Sequence, residues 1–324
     1  MQETEKTTTG FASVAVLGAG TMGHALALVH ALAGCVVRLY DREPRALERA
    51  RRLVAHAAAT LVEAGEIAPE AAAAARDRIE TVRELESALA AAELVIETVT
   101  EDPGIKKDLF RDVAERAPAG AIVASNTSYL DPFALVPEAL QPRAAIAHWY
   151  TPPYVLDLVD LVPGPATEAW VLDRLETFYR AIGKHPVRLP RLIPGYVANR
   201  LQAALTREAL RLLDEEGIAP EVVDTAIREG LALRLLLQGQ LEKADFTGLE
   251  LLARTLANRS YTPPPPIERS PTLDRLIAQG RTGVLAGRGF YDYGGRDPAE
   301  LFRERDLRLL ALKRAWRRIA RSTG

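Results

Sequence analysis

The chain is short of cysteine, nearly neutral and without a long apolar run, and each shortage removes a class of protein. A single cysteine, Cys35, has no partner for an internal disulfide or a thiolate zinc site, so no structural metal is expected and a reducing compartment, the cytoplasm, is. The formal net charge of −2 gives no electrostatic ground for a nucleic acid or an anionic membrane as partner. No apolar run approaches the length of a bilayer span, and Met1 to Gly10 is polar and threonine-rich, without the apolar stretch of a secretion signal. Neither secretion nor membrane insertion is therefore expected.

What remains is globular composition, 48% hydrophobic and 26% charged, over 324 residues, a length that suits two domains better than one core. After a polar leader (1–12), Ser13 to Leu17 reads as a buried strand, Gly18 to Gly23 as a turn, Met22 to Leu32 as a helix and Val36 to Tyr40 as a second strand. A helical pair from Arg45 to Arg78 follows. Strands then alternate with helices: Ile79 to Val82, Leu94 to Val99, the helix Ile105 to Arg116, Ala121 to Ser125, Ala144 to Ala147, Val155 to Val162, the helix Glu168 to Ile182, and Pro186 to Leu189. This alternation predicts an α/β fold, a Rossmann-type doubly wound parallel sheet over 13–190. Past Pro194-Gly195 the strand signals stop. Tyr196 to Glu216, Pro220 to Glu229 and Leu249 to Asn258 read as helices, giving an all-α C-terminal domain over 191–295 for substrate binding and dimerisation. Pro263 to Pro266 should be an extended spacer, and 296–324 holds a basic amphipathic helix whose leucines are expected to pack on the body.

Gly18-Ala19-Gly20-Thr21-Met22-Gly23 matches the G-x-G-x-x-G fingerprint, follows a strand, opens a helix, and precedes an acidic residue, Asp41, at the end of the next strand. That context points to a dinucleotide whose pyrophosphate meets the helix N-terminus. Asp41 would accept bonds from the adenosine ribose and repel a 2′-phosphate, which favours NAD over NADP. Oxidation of an alcohol by NAD also needs a base near neutrality for the hydroxyl proton, and histidine is the usual choice. Of the five histidines, His24, His30 and His56 fall on helices and His185 in a loop. His148 alone ends a strand at the sheet edge where α/β sites form.

With these residues in place, the sequence resembles the 3-hydroxyacyl-CoA dehydrogenase family. The resemblance runs from about Val14 to Tyr293 through ordered segments: the fingerprint, Val95-Ile96-Glu97 leading to Glu101 and Lys106, Asn126-Thr127-Ser128, His148 to Pro153, Gly183 to Val187, Pro194-Gly195-Tyr196 with Asn199, and Gly287 to Tyr293. It implies an NAD-dependent dehydrogenase of fatty-acid type, a homodimer, acting at the β-hydroxyl of an acyl thioester. His148 would be the acid–base group and Asp160, twelve residues on, its orienting carboxylate. Ser128 and Asn199 would bond the reacting oxygen, and Glu101, Lys106, Asn126 and Thr151 would line the cofactor. Two positions depart from the family: Asp160 stands for glutamate and Thr151 for asparagine. The shorter acid is expected to reach His148 by a backbone shift or through water. Asp157 is a rival, but residues three apart in a strand face opposite sides.

Pro152-Pro153-Tyr154 through Pro163 resembles especially the L-gulonate 3-dehydrogenase (lambda-crystallin) branch, and Arg234 falls where that branch carries a basic residue able to clamp a free carboxylate. The substrate is thus expected to be a 3-hydroxyacyl-CoA or a free β-hydroxy acid. A non-catalytic NAD-binding protein is the competing reading. Ser128 and Asn126 also suit a turn or cap, Asn199 a buried helix position, and Arg234 a surface arginine.

Overall fold

The computed structural model describes residues 10–257, 267 and 269–322. Most of the polar leader and the Pro263–Pro266 spacer lie outside the described residues. The chain divides into two compact units: the first runs to Tyr196 and takes the chain back from Phe302, and the second is Val197–Leu301.

The first unit is built on an eight-stranded sheet of order β3-β2-β1-β4-β5-β6-β7-β8. Its strands are β1 (Ser13–Leu17), β2 (Val36–Tyr40), β3 (Ile79–Val82), β4 (Leu94–Glu97), β5 (Ile122–Ser125), β6 (Ala144–Trp149), β7 (Leu158–Pro163) and β8 (His185–Arg188). All neighbours are parallel except β6 and β7, which run antiparallel with His148 directly opposite Asp160. Alternation along each strand feeds two cores. Val14 and Val16 point to one face, where they pack with α1 (Gly23–Leu32), α2 (Pro44–Glu63) and α6 (Ala169–Ala181) through Leu26, Leu28, Leu47, Val54 and Phe178. Ala15 and Leu17 point to the other, against α4 (Leu85–Leu89) and α5 (Pro103–Arg116) through Leu89, Leu109 and Phe110. Strands buried on both sides need continuous apolar sequence, which is what β1, β4 and β5 carry. The helical pair expected between β2 and β3 is α2 and α3 (Pro69–Asp77).

Several strand boundaries differ from the sequence reading: β4 ends at Glu97 rather than Val99, and β8 opens at His185, which was read as loop. The sixth strand continues through Trp149, so His148 lies inside it, and β7 starts at Leu158 rather than Val155. The difference has a physical cause. Lys184 Nζ takes the carbonyls of Pro153 (2.7 Å) and Leu156 (3.0 Å), which holds 152–157 out of the ladder as a loop. The same loop is gripped from outside by the last helix, α12 (Pro298–Ser322). Asp306 accepts from the Tyr154 hydroxyl (2.6 Å), Lys313 donates to Val155 O (2.5 Å) and pairs with Asp157 (2.6 Å), and Arg317 pairs with Asp157 (3.1 Å). Leu310 enters the core beside α1 and α2, and Arg314 pairs with Glu66. The basic helix thus packs on the sheet-bearing unit.

The second unit is helical: α7 (Ala198–Asp214), α8 (Pro220–Thr225), a π-helical stretch Ala226–Ala232, α9 (Leu233–Thr247), α10 (Leu249–Ala257) and α11 (Pro271–Ala278). Gly239, at φ 69° and ψ −172°, breaks α9 into two segments. Asp214 ties the end of α7 to the start of α11 by accepting from the Ser270 hydroxyl (2.5 Å) and Thr272 N (2.9 Å). Among the described residues no helix is long and apolar enough to cross a membrane.

The buried Tyr154–Asp306 bond is open to test. Asp306→Ala leaves a largely buried hydroxyl without its acceptor, at a cost of about 1–3 kcal/mol. A clear drop in Tm by calorimetry is expected, with Tyr154→Phe in the same background adding little further loss.

Candidate active site

The glycine turn between β1 and α1 is held by the residue that ends β2. Gly18 sits at φ 103° and donates to Tyr40 O (2.8 Å), and Ala19 N donates to Asp41 Oδ2 (2.8 Å), while Glu43 N takes Asp41 Oδ1 (3.0 Å). Asp41 therefore orders the turn with part of its hydrogen-bonding capacity and retains lone pairs for a ligand hydroxyl. At Gly23 a Cβ would strike the Gly18 carbonyl, so helix and turn meet there at backbone contact. At Gly20 a Cβ would meet nothing within 4 Å, which leaves an open cradle at the helix N-terminus of the kind a pyrophosphate requires.

Beyond the turn opens a cleft of about 340 Å³, lined by Gly20, Thr21, Met22, Thr98 to Glu101, Lys106, Asn126, Ser128 and Tyr129. Its floor is a buried charge network. Lys106, on α5, is 1% exposed and its ammonium lies 2.6 Å from Glu97 and 3.1 Å from Glu101. Glu97, at the end of β4 and wholly buried, also accepts from the Ser125 hydroxyl (2.6 Å) and Val99 N (2.9 Å). Glu101 accepts from Thr127 Oγ1 (2.5 Å), Ser128 N (2.8 Å) and Tyr129 N (3.0 Å). Burial works against the Glu101 anion, but these donors and Lys106 outweigh it and hold the carboxyl at about 2. One carboxylate thus fixes the turn that presents Ser128. Sequence reasoning placed Glu101 and Lys106 beside the cofactor; it did not foresee that Glu97 pairs with Lys106 beneath the cleft floor.

Next to Ser128, which lines the cleft, stands His148, 3% exposed. Its Nε2 lies 3.3 Å from Ser128 Oγ and its Nδ1 lies 3.3 Å from Asp160 Oδ2. Aspartate reaches the imidazole directly because the two residues are cross-strand partners, a placement that brings Cβ atoms to roughly 5 Å. No backbone shift or bridging water is called for, although the contact is longer than the ~2.7–2.9 Å of a strong charge-assisted bond. Asp157, the rival, turns away to Lys184 and Lys313. Asn126 Oδ1 accepts from Trp149 N (2.9 Å), locking β6 beside the loop after β5, and Thr151 Oγ1 lies 3.1 Å from Met22 Sδ, joining the end of β6 to the glycine turn.

Two tyrosines that lie inside the segments singled out in the sequence, but were given no role there, complete the surroundings. Tyr196 stacks on the imidazole (centroids 4.4 Å, 28°) and donates to Thr127 O (2.5 Å), from a backbone at φ 49° that costs a non-glycine residue about 1–2 kcal/mol. Tyr150 meets the ring edge-on (4.7 Å) and donates to Asp160 Oδ2 (2.6 Å). Burial, then the Asp160 bond, pushes the Tyr150 hydroxyl well above the usual phenol range, so it stays a donor. The signal for both was an aromatic residue next to a recognised motif. Asn199, in the first turn of α7, and Arg234, at the start of α9 with its guanidinium on Gly230 O, belong to the second unit.

A sheet with this turn, an open cradle at the helix N-terminus and a buried histidine–aspartate pair on adjacent strands, carried with a separate helical unit, is the architecture of a dinucleotide-dependent oxidoreductase. The sequence matches the 3-hydroxyacyl-CoA dehydrogenase NAD-binding domain over residues 13–192 and the 3-hydroxyacyl-CoA dehydrogenase C-terminal domain over 195–293. The chain belongs to the 3-hydroxyacyl-CoA dehydrogenase family; it is an NAD-dependent dehydrogenase acting on CH–OH groups. Among known proteins it is 35% identical to 3-hydroxyadipyl-CoA dehydrogenase of Escherichia coli, over 87% of this chain and 59% of that one. It is 34% identical to L-carnitine dehydrogenase of Streptomyces griseus, over 95% and 91%. The crystal structure of 5-formyl-3-hydroxy-2-methylpyridine 4-carboxylic acid 5-dehydrogenase, an NAD+-dependent dismutase, superposes with a TM-score of 0.84 at 28% identity, covering 94% of this chain and 98% of that one.

Two outcomes are expected. Gly23→Ala should cost about 1–3 kcal/mol of stability through the clash with Gly18, whereas Gly20→Ala should keep the Tm and weaken NADH binding in a fluorescence titration. Because Glu101 is held at about 2 against an ordinary 4.5, its stabilisation is complete above about 4.5 and lost as pH falls toward about 2. Urea midpoints of wild type and Glu101→Gln should therefore differ most near neutrality and converge through that window.

Proposed function

We propose that this chain interconverts a secondary alcohol and a ketone at the β-carbon of a 3-hydroxyacyl substrate, with His148 as base in oxidation and acid in reduction. The supporting observation is the His148–Asp160–Ser128 arrangement: one carboxylate at Nδ1 and one hydroxyl at Nε2, that hydroxyl belonging to a residue that lines the cleft. Bound NAD supplies the hydride acceptor. Gly18, Gly20 and Gly23 give its phosphates the cradle, Asp41 takes the ribose hydroxyls, and Thr21, Met22, Glu101, Lys106, Asn126 and Thr151 line its path. Asp160 holds the proton on Nδ1, leaving the Nε2 lone pair to accept the substrate hydroxyl proton. Ser128 bonds the reacting oxygen and favours the charge that develops on it in reduction.

A second reading, a free hydroxy acid in place of the thioester, is favoured by one observation. L-carnitine dehydrogenase of Streptomyces griseus is 34% identical over 91% of its length, whereas the mitochondrial hydroxyacyl-CoA dehydrogenases, matched over 90% of theirs, are 29–30% identical. On this reading Arg234 clamps the carboxylate. The working protein is a cytoplasmic homodimer assembled through the helical unit, which leaves Leu201, Leu233, Leu237, Leu241 and Leu249 more than half exposed in the single chain.

Absorbance at the NADH band decides between the readings. Acetoacetyl-CoA with NADH, and NAD with L-carnitine, L-gulonate and 3-hydroxybutyrate, are run beside His148→Ala. Turnover of the thioester supports the acyl-CoA substrate, and turnover of free acids alone supports the second reading. His148→Ala should lower kcat/KM by about 10²–10⁴; an unchanged rate would overturn the assignment of the base.

A further inference from the structure

Asp160 gives one oxygen two tasks. Its Oδ2 faces the imidazole at 3.3 Å and at the same time accepts the Tyr150 hydroxyl at 2.6 Å, so the shorter bond goes to the tyrosine. Asp160 is 2% exposed and is reached from β6 by both partners, His148 from directly across the ladder and Tyr150 from just beyond its end. An aspartate has one fewer torsion than a glutamate with which to seek His148, so the direction of its carboxylate depends on whatever else it bonds.

We propose that Tyr150 is a positioning residue for the His148–Asp160 pair: its hydroxyl aims the short carboxylate across the strands and divides the carboxylate's charge, which limits how strongly Asp160 supports the imidazolium. The proposal rests on the reading of His148 as the acid–base group, and it concerns which contacts set that group's strength. The groups that face His148 within its unit are Asp160 on β7, Ser128 after β5, Tyr150 beyond β6 and Tyr196 stacked on the ring, with Glu101 acting on Tyr196 from the cleft floor. Of these, Tyr150 is the one that shares the very oxygen the imidazole uses.

Removing the Tyr150 hydroxyl returns the whole charge of Oδ2 to the imidazole. In Tyr150→Phe the acid limb of the kcat/KM profile for alcohol oxidation should move to higher pH by about half to one unit, with kcat reduced more than KM is raised. Ring-labelled histidine NMR on the NAD-bound protein, with the His148 signal assigned by its loss in His148→Ala, should show a titration moved the same way. The longer acid of Asp160→Glu can bond His148 on its own, so in that background Tyr150→Phe should shift the limb by less than half as much. A Tyr150→Phe protein that keeps its Tm, loses kcat, and shows neither a moved limb nor a moved ring titration would overturn the proposal, leaving Tyr150 as packing. The NMR arm separates the two ideas. If His148→Ala proves fully active, the acid–base reading fails, and the ring titration still decides whether Tyr150 governs Asp160.

Discussion

The antiparallel pairing of β6 with β7 is the constraint on which the site depends. In the parallel part of the sheet every strand delivers its C-terminal end to the edge where the cofactor cleft opens, and each must be followed by a crossover that leaves that edge. Reversing β7 lets the chain turn back at once, so the end of one strand and the beginning of the next share the cleft edge. His148 and Asp160 become ladder neighbours, and the distance between them is set by backbone hydrogen bonds instead of by long side chains. That is why an aspartate suffices.

A second constraint lies under the cleft. Glu97 and Lys106 are buried as a pair, with the partly exposed Glu101 closing the network. Taking such charges from water costs several kcal/mol per ion, which is recovered only if the geometry is good and the remaining lone pairs are filled. Here they are filled by Ser125, Val99, Thr127, Ser128 and Tyr129, so the network joins β4, α5 and the turn after β5 into one rigid floor. Removing Lys106 would strand Glu97, and that asymmetry makes the arrangement hard to alter piecemeal.

Much of this was legible in the sequence because the relevant signals are local. The fingerprint, Asp41 at the end of β2, and the alternation of strands and helices depend on residues close in the chain, and the twelve-residue interval from His148 to Asp160 spans a single strand reversal. Strand alternation allowed only one of Asp157 and Asp160 to address His148, and the family resemblance selected Asp160; Asp157 in fact lies just before β7. What was missed depends on contacts that the chain order hides. Residues 155–157 read as strand, yet Lys184 withdraws them from the ladder. Short α4 and α11 carry too few residues for a periodic signal, and Tyr150 and Tyr196 look like ordinary aromatics until the ring they enclose is in place. The change of unit falls at Tyr196–Val197, a few residues beyond the composition shift near 190, because Leu189 and Tyr196 still pack with Ile146 and Val162.

The route of the chain gives the last helix a temporal meaning. The second unit is an insertion, entered after Tyr196 and left at Leu301, so α12 rejoins a sheet made long before it. Tyr154 and Asp306 are 152 residues apart, and Lys313 reaches back 158 to Val155. During synthesis the sheet can form while the loop between β6 and β7 still lacks these outer ties. The ties that fasten the loop come from a helix more than 150 residues further along, so its outer side stays open until that distant segment has been made.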